Sequence, residues 1–249
     1  MTYLSDILSD VEFQKRRDEL VRNIQNDESA YFKFMEIFVE LMKYEYVSSK
    51  NWQGIPIVKL PDDIVVIQEF HYDYKPTAVI EVGVARGGSV ALAVSLQQLN
   101  GLKPKILGID IKIFEHARKA LSAFEENGWL ELLEQDSTSI ISIEKIKEFV
   151  SGHTKVFAIL DSNHSHEHVL SEIEVMNQCL PVGSVVLVAD GIIEHLPART
   201  DRPWGKGNSP ATAVNQFLRE NTNWKRVEKY CRRSIFSEFR DGWIEKIGE

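Results

Sequence analysis

The feature that most constrains this chain is an alternation of short apolar runs with helical patterning, repeated five times. The runs Val79 to Val82, Ile106 to Ile109, Leu130 to Leu133, Val156 to Leu160 and Val185 to Val188 are each followed by a helical pattern. Those patterns begin near Gly88, Phe114, Ser139, Ser165 and Pro210. Apolar runs without polar alternation suit strands buried on both faces, and a helix after each strand supplies the crossover that parallel pairing requires. The expected fold is α/β: a doubly wound, mainly parallel Rossmann-like sheet with helices on both sides. The tail breaks the rhythm. Trp224 to Tyr230 and Ser234 to Ile247 read as two strands hairpinned antiparallel at the sheet edge, for seven strands in all. Ahead of the sheet, Phe32, Met35, Phe38, Val39 and Met42 recur at helical spacing, and Asn51 to Pro61 is rich in turn and breaker residues. Pro61 with Asp62 and Asp63 marks a helix start running towards Tyr74. Residues 1–60 are therefore expected to form a helical appendage and connecting segment, and residues 61–249 the α/β domain.

Open α/β sheets bind ligands beyond the C-terminal ends of their strands, so the chemistry is sought there. The first strand lies within the stretch Thr77 to Ser89, TAVIEVGVARGGS, ending in Glu81 and breaking into the glycines Gly83, Gly87 and Gly88. A dinucleotide fingerprint needs a second glycine where Ala85 stands, and the Glu81 charge opposes a phosphate. A cofactor with a positive ammonium and no phosphate fits better, and S-adenosylmethionine is such a molecule. Glu81 is then expected at its amino-acid end, with Gly83, Val84, Gly87 and Gly88 allowing close backbone approach. Ser89 caps the next helix or binds the carboxylate. Asp110, beside Ile111 at the end of the second strand, accepts the ribose hydroxyls, and Asp136 with Ser137 meets the adenine.

The fourth strand ends in Leu160-Asp161-Ser162-Asn163-His164 and the fifth in Val188-Ala189-Asp190. Adjacent strand ends bring Asp161, His164 and Asp190 together over the reactive end of the cofactor. Asp161 and Asp190 can bind Mg²⁺, which often uses only one or two protein carboxylates, and His164 can take a proton from an acceptor hydroxyl. Of the histidines 164, 166 and 168, the first and last share a face and the middle one points elsewhere, which argues against a histidine-only metal tract. Between Gly191 and Ser209 lies a long connection holding Pro197, Pro203, Gly205 and Gly207, placed where a substrate lid would sit. Trp52, Trp204, Arg199 and Arg202 are available to line an acceptor pocket.

Composition narrows the partners. Two cysteines, Cys179 and Cys231, are too few for a disulfide framework, and a formal charge of -8 disfavours nucleic acid and anionic lipid. The N-terminus lacks the basic start and apolar run of a signal peptide, and no segment approaches the roughly 20 apolar residues that span a bilayer. A cytoplasmic protein acting on a small-molecule or glycan acceptor is expected. Its amphipathic N-terminal helices are free to pack on their own sheet or in a homo-oligomer.

These blocks together resemble the cephalosporin hydroxylase-like group of S-adenosylmethionine-dependent O-methyltransferases, related to macrolide-sugar and rhamnosyl O-methyltransferases. The likeness runs from about Asn51 to the C-terminus through NWQGIPIVKLPDD, VIQEF, KPTAVIEVGVARGGSV, KILGIDI, EQDS, FAILDSNHSHEHVLSE, PVGSVVLVADG and SPATAVNQFL. The resemblance implies methyl transfer to a sugar or natural-product hydroxyl with Mg²⁺. It implies cofactor contacts at Glu81, Gly83, Gly87, Ser89 and Asp110, metal ligands at Asp161 and Asp190, and a base at His164. One departure stands out: the family commonly ends the fifth strand in Glu-Asp, and this chain has Ala189-Asp190. Glu194 is a possible substitute, or the chain works without metal. A cofactor-binding protein with lapsed catalysis is the alternative function, and a nicotinamide-dependent oxidoreductase is opposed by Ala85 and Glu81.

Overall fold

The computed structural model describes residues 9–198 and 200–249. Its centre is a seven-stranded sheet built from β3 (Ala78–Val82), β4 (Ile106–Asp110), β5 (Leu130–Glu134), β6 (Val156–Leu160), β7 (Val185–Val188), β8 (Trp224–Arg226) and β9 (Trp243–Lys246). The order is β5-β4-β3-β6-β7-β9-β8, with β3 to β7 parallel and β9 antiparallel to both β7 and β8. Strand order reverses at β3, which has β4 on one side and β6 on the other. The crevice at that switch point is where such sheets bind ligands.

The central strands β3, β6 and β7 bury both faces and β4 nearly so, as their apolar runs require, while the edge strands β5 and β8 are only partly buried. Val79, Phe157, Ile159 and Leu187 pack on one side with Ile67 and Phe70 of α3 (Pro61–Tyr74) and Val90 to Leu96 of α4 (Gly88–Leu99). Ala78, Ile80, Ala158 and Val186 pack on the other with α6 (Ile140–Val150), α7 (His166–Cys179) and α8 (Pro210–Glu220). Between β4 and β5 lies α5 (Glu115–Glu126), its Leu121 buried in the first cluster. The expected helix starts hold to within a residue, because Phe114, Ser139, Ser165 and Ser209 are the caps. None of the described helices is long and apolar enough to cross a membrane.

Three expectations change. Asn51 to Pro61 is not simply irregular: β1 (Lys50–Trp52) and β2 (Ile55–Ile57) form a hairpin around Gln53 and Gly54, whose φ values of 49° and 83° suit a two-residue turn. In the N-terminal part, α1 (Asp10–Asn26) buries no residue, while α2 (Glu28–Met42) buries Tyr31, Phe34, Met35 and Phe38. Phe32 lies one position, about 100° of helix, off that stripe, and is exposed. The tail strands are also much shorter than expected. Residues 227–242 form an irregular connection that buries Ser237, Glu238, Phe239 and Arg240, so β8 and β9 are edge neighbours without a tight turn.

Candidate active site

The turn after β3 is shaped by its glycines, though chiefly for packing against protein. Gly83 has φ +96°, and a Cβ there would meet the Asp161 carbonyl oxygen at 2.1 Å. Its bareness lets the ends of β3 and β6 lie together, where the Asp161 N–H donates to the Val82 carbonyl at 2.8 Å. Gly87, φ +91°, caps α4, and a Cβ on Gly88 would strike the Pro56 carbonyl oxygen of the hairpin at 2.4 Å. Ser89 is not the cap. It sits inside α4 with its hydroxyl buried and without a well-formed hydrogen bond. Asp110 folds the turn onto β4: its Oδ2 accepts from the N–H of Val84 at 2.8 Å and of Ala85 at 3.1 Å, and its Oδ1 from that of Lys112 at 3.0 Å.

A cavity of ≈ 440 Å³ opens over these strand ends. Gly83, Asp110, Ile111, Asp136, Ser137 and Asp161 line it, as do Ser162, His168 and Trp204. Val84, Gly87, Gly88 and Ser89 are not on its wall. Nor is Glu81, which is fully buried with both carboxylate oxygens unpartnered. Burial pushes Glu81 up to about 7, against the pull of Lys59 and the Ser89 hydroxyl. A clasp that sequence reading missed fixes the far side. Glu172 Oε1 accepts from Ser137 Oγ and Ser162 Oγ, each at 2.6 Å, and His168 Nε2 lies 3.1 Å away. The hydrogen bond to Glu172 raises the His168 imidazole above its usual range. The spacing of His168 and Glu172, one helical turn, was the available signal.

Adjacent strand ends do bring the expected trio together. Asp161, His164 and Asp190 each offer a ligand atom within 4.8 Å of the others. His164 Nε2 lies 3.2 Å from Asp190 Oδ2, and Trp204 stands edge-on to the imidazole with ring centroids 5.1 Å apart. His166 is diverted to α8, between Thr212 and Gln216. The unforeseen member is Lys59, 1% exposed, whose Nζ donates to Asp161 Oδ2 at 3.0 Å. Burial opposes its charge, but Asp161 and Glu81 hold it above the usual lysine range. Burial likewise works to raise Asp161, and Lys59 and His164 outweigh it, leaving that acid low. Asp190 is raised, by burial and the Asp161 charge, despite His164. Lys59 was legible only as a cation inside the apolar run IPIVKLP.

A second chamber of ≈ 720 Å³ adjoins the first and shares Ser162 and Trp204 with it. His164, Asp190 and Glu238 lie on its wall, Arg202 and Trp204 come from the long connection, and Phe38 and Met42 come from α2. The connection is tied down at its end, where Glu194 Oε2 accepts from the Gly207 N–H at 3.0 Å and Ser209 Oγ at 2.7 Å. Glu194 lines neither chamber and stands outside the group formed by Asp161, His164 and Asp190, so it is not placed to substitute for the acid missing at Ala189. Trp52 is elsewhere too, donating to Ser95 Oγ at 3.0 Å against α4. Arg199 lies outside the described residues.

The donor atoms suit both groups expected here. Each of Asp161 and Asp190 engages one oxygen with Lys59 or His164 and has its other without a protein partner among the described residues. Hard oxygen donors with space for water are what Mg²⁺ takes. The smaller cavity falls within the 300–1,000 Å³ typical of small-molecule sites.

Comparison with known proteins agrees with this architecture. The model of the family described as Rhamnosyl O-methyltransferase/CmcI matches residues 44–247. A rhamnosyl O-methyltransferase of Mycobacterium leprae (strain TN) is 29% identical over 174 residues, 70% of this chain and 72% of that protein. One of Mycobacterium tuberculosis (strain ATCC 25618 / H37Rv) is 31% identical over 176 residues, 70% of this chain and 68% of that one. Among solved structures, CmcI with Mg and SAM shares the fold at a TM-score of 0.54 and 15% identity, over 81% of this chain and 78% of that chain.

Proposed function

The chain belongs to the rhamnosyl O-methyltransferase/CmcI family, and on that premise we propose that it methylates a hydroxyl of a sugar or other natural product, using S-adenosylmethionine and Mg²⁺. The observation that carries this reading is the junction of the two chambers. His164 and Asp190 face the larger one, Asp161 faces the smaller, and Ser162 and Trp204 belong to both. A donor in the smaller chamber and an acceptor in the larger would meet there, as in-line transfer requires.

The donor supplies an electrophilic methyl on a sulfonium, and Mg²⁺ held by Asp161 and Asp190 supplies Lewis acidity that acidifies the acceptor hydroxyl. The chain's own residues do the rest. Asp110 already accepts three backbone N–H groups, and a carboxylate has about four acceptor positions, so it takes one ribose hydroxyl in this conformation and not both. Asp136 and Ser137 face the adenine end, and the unpartnered Glu81 carboxylate lends negative potential to the amino-acid end. With Nε2 engaged by Asp190 Oδ2 at 3.2 Å, the other ring nitrogen of His164, Nδ1, takes the hydroxyl proton, and Asp190 stabilises the imidazolium that results. Trp204 keeps water from the junction.

The test is methyl transfer from labelled S-adenosylmethionine to a panel of glycosides, rhamnosides first because the curated relatives are rhamnosyl O-methyltransferases. His164→Ala is expected to lower kcat by about 10²- to 10⁴-fold with cofactor affinity kept. Failure to bind the cofactor would refute the reading. Ala189 favours a second reading, a cofactor-binding protein whose catalysis has lapsed, and tight cofactor binding without turnover on any acceptor would select it. The free cysteines, one of them buried, support a reducing, cytoplasmic setting, and the exposed Val11, Phe13 and Leu20 of α1 support self-association.

A further inference from the structure

We propose that Glu238 supplies the carboxylate that the cation site lacks at Ala189. The proposal rests on the Mg²⁺ reading above and adds a residue to it. Three observations carry it. Glu238 is 7% exposed, no described residue hydrogen-bonds its carboxylate, and its oxygens are not among the sealed, unpartnered atoms of the interior, so what exposure they have is to the chamber that Glu238 lines. A mostly buried acid without a protein partner is costly to keep, and a ligand that completes it is a reason for keeping one.

The second observation is where that acid stands. Glu238 lines the larger chamber together with His164 and Asp190. The backbone holds it there: the Ile192 N–H donates to the Glu238 carbonyl at 3.2 Å, and a Cβ on Gly191 would meet the Arg240 carbonyl oxygen at 2.4 Å. The residues just after Asp190 are thus pressed against the 238–240 segment. Asp63 fixes the other side, accepting the Glu238 N–H at 2.9 Å and the Ser237 hydroxyl at 2.5 Å. The negative charges of Asp190, Asp63 and Asp161 reach Glu238, as does the positive charge of Lys59.

The third observation is Ala189 itself. Its methyl and Phe239 belong to one buried cluster, on the sheet face that the 227–242 connection covers. An acid at 189 would project into the space this segment fills. The small residue and the acidic segment are two halves of one exchange, in which the carboxylate moves from the strand end to the connection between β8 and β9. Glu238 stands outside the 4.8 Å trio, and Mg²⁺ retains several waters, through which an outlying carboxylate binds.

The experiment uses Mn²⁺ as a spectroscopic probe on the full chain, with affinity read by electron paramagnetic resonance and S-adenosylhomocysteine affinity read separately by calorimetry. Glu238→Gln is expected to weaken Mn²⁺ binding at least tenfold with S-adenosylhomocysteine affinity and Tm unchanged. Glu238→Asp should fall between the two. Wild-type Mn²⁺ affinity in Glu238→Gln would overturn the proposal. Absence of Mn²⁺ binding in the wild type would overturn it together with the metal reading, and retained S-adenosylhomocysteine binding would show that the methyltransferase reading survives both.

Discussion

Lys59 is the residue on which most of the site's charge depends. Its ammonium is buried, bonded to Asp161 and within the field of Glu81 and Glu238. Removing one partner of a buried pair strands the other, which typically costs 3–5 kcal/mol. Asp161→Ala should therefore lower stability by about 3 kcal/mol in urea unfolding, and Lys59→Met added to it should restore most of that loss. Simple additivity of the two would show that the pair is not coupled. His71 is a buried residue of a different kind. It is 0% exposed, both ring nitrogens lack partners, and burial pushes it down to about 3. The folded state thus binds no proton there at pH 5, while an unfolded chain with an ordinary imidazole near 6.5 does. Because the unfolded state holds the extra proton, this group's contribution is complete above pH 6.5 and is lost as pH falls towards 3. Relative to His71→Leu, the wild type should lose about 1.4 kcal/mol per pH unit between pH 6 and 4, measured by denaturation at each pH. A pH-independent difference would mean that His71 is protonated in the fold.

Single elements show most clearly what the chain reveals and what it conceals. Four of the five parallel strands were legible because a strand buried on both faces is apolar almost throughout; β5, at the sheet edge, keeps Glu131 and Glu134 and was legible from its leucines. The helix starts were legible because helical patterns open near Ser139, Ser165 and Pro210, and the structure begins its helices within a residue of each. The tail was not, since residues 227–242 owe their burial to contacts with α3, α2 and the segment after β7, and long-range pairing leaves no local period. Lys59, Asp63 and Glu238 were missed for the same reason: they reach the site from elements outside the strand-end rule. Two turns test the packing role of glycine. Gly83→Ala places a Cβ 2.1 Å from backbone at positive φ, so it should abolish the fold or cofactor binding. Gly128→Ala, at φ +66° with open space around it, should cost only about 1 kcal/mol. Equal effects would remove the steric account. At α8, Ser209 Oγ both caps the helix and holds Glu194. Ser209→Ala should cost about 1 kcal/mol and raise the acceptor KM by loosening the connection that carries Trp204, with kinetics at saturating cofactor as the measurement.

The whole molecule places its two chambers on parts of different origin. The smaller cavity, proposed above for the cofactor, is built from strand ends within the matched family region, and Asp110, Asp136, Ser137 and Asp161, which line it, had been named from the chain alone. The larger chamber, proposed above for the acceptor, is different, because Phe38 and Met42 in its wall precede residue 44, where the family match begins. They are held there by clamps unrelated to the strand pattern. Arg240 bonds Glu28 at 2.6 Å and lies 3.7 Å from the Tyr31 ring centroid, and Phe34 meets Phe236 with centroids 5.1 Å apart. The helix α2 is therefore a wall of the larger chamber, and acceptor choice should depend on it while donor binding should not. Met42 is the residue to vary, because it is only partly buried. Removing it should lose about 1–2 kcal/mol, below the range for a fully buried methionine, and leave a folded enzyme. Met42→Ala should raise the acceptor KM about tenfold, the equivalent of 1.4 kcal/mol of lost binding, with S-adenosylhomocysteine affinity unchanged in calorimetry. An unchanged KM, or equal losses for acceptor and cofactor, would place acceptor selection elsewhere in the chamber.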